Sequence, residues 1–169
     1  MQHERSAAYW IENLQLLPHP EGGYYREVYR ASDVIPHDAL PARFSGARSL
    51  ATSIYYLLER GDFSAFHRIH SDETWHLYAG SGLEVVMLEQ GTQRSITLGP
   101  NVSQGEHLQF TVPAGVWFAS RLTPTSSYAL VGCTVSPGFD FADFTIAERQ
   151  ALLRDYPHST EIIEALTRG

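Results

Sequence analysis

Hydrophobic positions change their period twice along the chain. Residues 6–17 read SAAYWIENLQLL, with Trp10, Leu14 and Leu17 at i, i+4 and i+7 behind Ser6 as a candidate N-cap. That is the spacing of a short amphipathic helix. Pro18, Pro20 and the pair Gly22-Gly23 stop it, and YYREVYR at 24–30 has the tyrosine and β-branched content of a strand. Residues 31–48 read as a loop. From Leu50 the helical period gives way to short runs of strand character, LATSIYYLL, FSAFHRI, ETWHLYA, LEVVMLE, QRSITL, HLQFTV, VWFASRL and SYALVGCTV, separated by turns rich in Gly, Pro, Asn or Asp. Short strands at such close spacing predict a sandwich or closed barrel. Helical period returns at Thr145, where TIAE reads as a capping box ahead of Ile146, Leu152 and Leu153, and Thr160 opens a last short helix.

Composition narrows the function classes. The chain has 169 residues with no linker, repeat or low-complexity stretch, so one domain over 1–169 is expected. Its formal charge is −7, and all 12 basic residues are arginine; a net negative surface disfavours phosphate backbones, so no nucleic acid is expected as a partner. The longest apolar runs are strand-sized, far short of the roughly 20 residues of a membrane-spanning helix. Cys133 is the only cysteine, which rules out a disulfide within the chain. Without a charged leader and long apolar run at the start, a cytoplasmic home is expected. Cys133 alternates with Val131 and Val135 like a buried apolar residue, and P-loops, dinucleotide fingerprints and nucleophile triads are missing from the sequence.

Chemistry concentrates in GDFSAFHRIHSDETWHLYAG at 61–80, where His67, His70 and His76 share strand and turn with Asp72 and Glu73. Such clustering marks a candidate site. By strand parity His67 points inward with Phe63, Ala65 and Ile69, and Glu73 returns nearby after the turn. His70 falls out of phase, and His76 faces away with Thr74 and Tyr78 unless a bulge reverses it. His107, Gln109 and Thr111 share one face of the strand entering Pro113, either lining the cavity or forming its outer face with Leu108, Phe110 and Val112 inward. Trp117 is either a stacking wall for a ring-shaped ligand or core, and Arg26 either meets a ligand or braces its strand. His3, His19, His37 and His158 show no interpretable spacing.

The arrangement Gly61-x5-His67-x-Ile69-x3-Glu73-x6-Gly80 resembles the first motif of the cupins, in which two histidines and a glutamate face the barrel interior and hold a metal. Ile69 stands where the second histidine is expected. HLQFTVPAGVWFAS resembles the second motif, with Phe118 at the place of the last metal histidine. With HPEGGYYREVYR, FHRIHSDETWHLYAG, VPAGVWFAS and LVGCTVSPGFDF in order, the chain is similar to the Cupin_5 (DUF985) family from about Leu14 to Phe144. The resemblance implies a mainly β, double-stranded β-helix or jelly-roll barrel like that of the deoxysugar epimerases, with a short N-terminal helix and C-terminal helices. It also implies a homodimer, and it does not fix a reaction.

Three readings follow. In the first, a small polar, carbohydrate-like substrate is isomerised without a metal; His67 takes a proton α to a carbonyl, Glu73 orients it and a tyrosine returns the proton. In the second, His67, Glu73 and His76 or His107 rebuild a set for a divalent metal in an oxygenase-like enzyme. In the third, the pocket binds a metabolite without chemistry. His67 and Glu73 carry the site, expected to be hydrogen-bonded to each other, with His76, Gln109, Trp117, Arg26 and His107 as candidate ligand contacts.

Overall fold

A computed structural model describes residues 5–169. Each of the eight expected runs is a strand, and they divide between two antiparallel sheets. The first sheet has the order β1 (Leu17–Pro18), β2 (Tyr24–Arg30), β5 (Thr52–Glu59), β12 (Tyr128–Ser136), β7 (Asp72–Gly80), β10 (Gln109–Val112). The second has the order β13 (Thr145–Ile146), β6 (Phe63–Arg68), β11 (Trp117–Leu122), β8 (Leu83–Glu89), β9 (Thr92–Leu98). Inward residues of both sheets, among them Tyr56, Leu58, Trp75, Val85, Met87, Phe118 and Val131, form the central core, as alternating strands require when one face is buried.

The helices seal the outer faces. Helix α1 (Ala7–Asn13) is capped by Ser6, whose Oγ accepts from the Tyr9 N–H. It lays Trp10, Ile11 and Leu14 on Leu57 and Leu130 of the first sheet. It ends sooner than the apolar spacing indicates, because Gln15 adopts a left-handed φ of 54° and Leu17–Pro18 already pairs with β2. Helices α2 (Arg149–Asp155) and α3 (Thr160–Ala165) cover the second sheet through Leu152, Ile162 and Ile163 against Phe66, Val86 and Leu88.

Two sequence expectations are corrected here. Thr145 and Ile146 do not begin a helix but pair with Arg68 and His67 as β13, and the cap of α2 is Glu148, whose carboxylate accepts from the N–H groups of Gln150 and Ala151. Residues 31–48 are not wholly loop, since β3 (Val34–Ile35) pairs with β4 (Arg48–Ser49). Among the described residues no helix is long and apolar enough to cross a membrane.

Candidate active site

A cavity of about 320 Å³ opens between the sheets. Glu21, His67 and Glu73 are buried on its wall; Ile54, Ile69, Val135 and Phe144 supply apolar surface; and Glu27, Arg30 and Asp140 stand at its exposed rim. That mixture of apolar wall and a few convergent polar groups is what a small-molecule site looks like.

His67 faces the interior as its parity indicates, but the strand leading to it departs from simple alternation. Phe118 pairs with His67 but Ser120 pairs with Ser64, so β6 carries one more residue than β11 over this stretch. The bulge turns Phe63 outward to join Phe66 on the face packed against the C-terminal helices. Phe63 is therefore not inward as parity from His67 implied.

The partner of His67 is Glu21, not Glu73. His67 Nε2 lies 2.9 Å from Glu21 Oε2, and its Nδ1 donates to Ala65 O at 2.7 Å. Glu21 is held by the HPEGG turn. Gly22 and Gly23 have φ of 112° and 72°, and a Cβ on Gly22 would strike Phe63 O and Arg168 Nη2; only glycine permits both the sign of φ and the close approach. The Gly23 N–H donates to Asp62 Oδ2 and the Tyr56 hydroxyl to Gly22 O. Asp62 Oδ1 in turn accepts from Arg168 Nη2 at 2.8 Å, so the segment that follows α3 secures the turn.

Electrostatics separate the buried groups. Burial pushes the His67 pKa down, but the charge and hydrogen bond of Glu21 outweigh it and leave it raised. Burial pushes Glu21 up, and the His67 charge and hydrogen bond bring it below its usual value. The two make an ion pair with both imidazole nitrogens engaged. Glu73 has no such partner. Burial raises its pKa to about 7; the His67 charge opposes this, Glu21 adds to it, and Cys133 and Trp75 offset it only in part. The buried Trp75 Nε1–H acts on this carboxyl as a nearby donor without reaching full hydrogen-bond geometry to any group. Glu73 is thus an unpaired, titratable carboxyl in the cavity.

His19, whose spacing carries no signal in the sequence, lines the cavity, with its ring 4.5 Å from that of Tyr25 and its Nδ1 accepting the Glu21 N–H at 3.2 Å. Burial, opposed by Glu21, lowers its pKa and keeps it neutral. The other candidates lie outside the cavity. His76 faces outward, 3.4 Å from Thr134 Oγ1, because no bulge reverses β7 at that point. Gln109 is exposed opposite it while Phe110 and Val112 turn in, so the outer-face reading holds for β10 itself, but Leu108, expected inward with them, lies just before the strand and is exposed. His107 is exposed beyond β10, Trp117 packs outward under Arg68 with the guanidinium 4.4 Å from its ring, and Arg26 braces the N-terminal turn through Leu14 O and Gln15 Oε1. His70 also lies outside, 3.3 Å from Asp143 Oδ1.

The donor set does not fit a metal of the cupin type. Ile69 and Phe118 fill two inward positions, the Phe118 ring centroid is 4.1 Å from that of His67, His67 Nε2 is closed by Glu21, and His76 is on the wrong face. Among the described residues no group of three or more His, Cys, Asp or Glu is arranged to hold a metal ion.

Two facing antiparallel sheets around a central site make this a cupin barrel. The family model described as Cupin superfamily (DUF985) matches residues 8–147, and the chain belongs to that family. It is 32% identical over 153 residues to the uncharacterized protein YML079W of Saccharomyces cerevisiae, covering 85% of this chain and 76% of that protein. A hypothetical protein from Leishmania major superposes with a TM-score of 0.88 at 35% identity, covering 98% of this chain and 100% of that one. Oxalate decarboxylase from Bacillus subtilis, at 15% identity and a TM-score of 0.52 over 88% of this chain and 36% of its own, shares the fold.

Proposed function

We propose that the cavity binds a small polar carbonyl compound and moves a proton at the carbon beside the carbonyl, an isomerase or epimerase chemistry. The observation that carries this is Glu73, a buried carboxyl with a pKa of about 7 and no fixed partner, facing the same cavity as a buried ion pair. A carboxyl poised near the working pH serves both as base and as acid. The roles expected from sequence therefore exchange. His67 has both nitrogens engaged and is not free to accept a proton, so Glu73 takes the α-proton and returns it. The C–H electrons move into the enolate, whose charge the fixed His67 imidazolium stabilises. Tyr56 donates to Gly22 O and is not free to return the proton.

Small unphosphorylated hydroxy-aldehydes and hydroxy-ketones incubated in D2O test this by mass spectrometry. Deuterium is expected at the α-carbon, with a rate that rises as pH passes through 7 and falls on the order of 10²-fold or more in Glu73→Gln. Binding without exchange by any such compound would reduce the protein to a ligand-holding module.

We also propose that two copies pair through β2. Beyond Tyr24 and Tyr25, which pair with β1, residues 26–30 show no partner on that edge among the described residues, and Val28 and Tyr29 are 48% and 55% exposed. Open edges recruit strands. Light scattering at micromolar concentration should give twice the mass of the chain, and the mass of a single chain would overturn the pairing.

A further inference from the structure

Among the described residues two cationic side chains line the cavity, and each is already held by a carboxylate. His67 is paired with Glu21. At the rim, Arg30 donates Nε and Nη2 to the two oxygens of Glu27 at 2.9 and 2.8 Å, and Nη2 also to Phe139 O at 3.1 Å. Residues three apart on a regular strand face opposite ways. Here the register slips between Glu27 and Tyr29, which pair with the consecutive residues Ile54 and Ser53, and the extra residue brings Arg30 back to the face of Glu27. The remaining charged groups on the lining, Glu73 and Asp140, are carboxyls; Asp140 accepts from the Ala142 N–H and has no cation bonded to it. A phosphate or carboxylate entering the cavity meets carboxyls and no free guanidinium fork, the group such anions need.

We propose that the cavity selects ligands without negative charge, uncharged hydroxyl- and carbonyl-bearing molecules rather than phosphate esters or carboxylates, and that Glu27 sets this specificity by occupying Arg30. This rests on reading the cavity as the ligand site. The Glu27–Arg30 pair is about two-fifths exposed, so it contributes little to stability and its removal leaves the fold intact.

The test uses NMR of the intact chain with matched probes: cyclohexanol, cyclohexanecarboxylate and inorganic phosphate. In the wild type, cyclohexanol should shift the methyls of Ile54, Ile69 and Val135, while carboxylate and phosphate at the same tens of millimolar leave them and the Arg30 Nε–H unmoved. In Glu27→Gln, phosphate should move the Arg30 Nε–H with at least tenfold tighter apparent binding. A second variant, Glu27→Gln with Asp140→Asn, covers recapture of the freed guanidinium by Asp140. Carboxylate binding the wild type as tightly as the alcohol would overturn the charge selectivity. No gain of phosphate binding in either variant would overturn the role of Glu27. Absence of any cyclohexanol shift would overturn the cavity as ligand site, and the Glu73 titration, read separately by carboxyl NMR, distinguishes that failure from failure of the proton-transfer reading.

Discussion

Glu73→Gln is expected to make the protein more stable, by about 3 kcal/mol at pH 8 and by nothing near pH 4. The sign follows from the direction of the shift. In the unfolded chain the carboxyl ionises at its usual 4.5, whereas in the folded protein it stays protonated to about 7. Between those values the folded state binds the extra proton, so stability falls as pH rises through this window and the loss is complete above it. Glutamine keeps the shape of the neutral acid and never ionises. At this chain length each kcal/mol moves the melting temperature by roughly 2–4 °C, so a rise of about 6–12 °C is expected at pH 8. Thermal melts of variant and wild type at matched pH, from 4 to 9, read the difference directly. A structural carboxylate gives the opposite result, since removing it destabilises at high pH. A residue whose loss stabilises the fold is held there for chemistry.

How much of this was legible without coordinates differs from residue to residue. The eight core strands are readable as short runs rich in Val, Leu, Phe or Tyr between turn residues, some alternating with polar residues and others, such as β8 and β12, apolar and buried on both faces. The cavity positions of His67 and Glu73 were readable from motif spacing. The identity of their partners was not. Glu21 lies in a turn, where no periodicity assigns a side chain to a face, and it meets His67 only because the sheets bring distant segments together. The available signal was Gly22-Gly23 beside it. Two glycines in a turn show that backbone approaches something closely, and here that something is β6 for Gly22 and β5 for Gly23. The start of β6 departs from the alternation expected of it for another reason: a bulge reverses parity for every residue beyond it, and nothing in FSAFHR announces one, as nothing in YYREVYR announces the bulge in β2. His76, Gln109, His107, Trp117 and Arg26 stand out in the sequence by residue type or motif, and the sheet turns each of them outward or leaves it beyond the strand ends.

Glu21→Gln should do the reverse of Glu73→Gln. Glu21 is buried beside a buried imidazolium, and removing one member of such a pair leaves the other charge without compensation, at a cost of about 3–5 kcal/mol. The melting temperature should fall by roughly 6–20 °C near pH 6. The pH dependence identifies the cause. Glu21 has a folded pKa below its usual 4.5, so its contribution is present above 4.5 and lost as pH falls through the folded value. His67 has a folded pKa above its usual 6.5, so its contribution is complete below 6.5 and lost as pH rises through the folded value. The stability gap between wild type and variant should therefore be widest between pH 4.5 and 6.5 and narrow on both sides. The Glu73 carboxyl supplies an independent reading. His67 lowers its pKa more than Glu21 raises it, so losing the imidazolium charge and Glu21 together should move that titration upward. Chemical denaturation from pH 4 to 9, with carboxyl NMR of Glu73, measures both effects. A gap that does not vary with pH would show that Glu21 contributes by packing alone, and it would remove the fixed charge on which the enolate stabilisation depends.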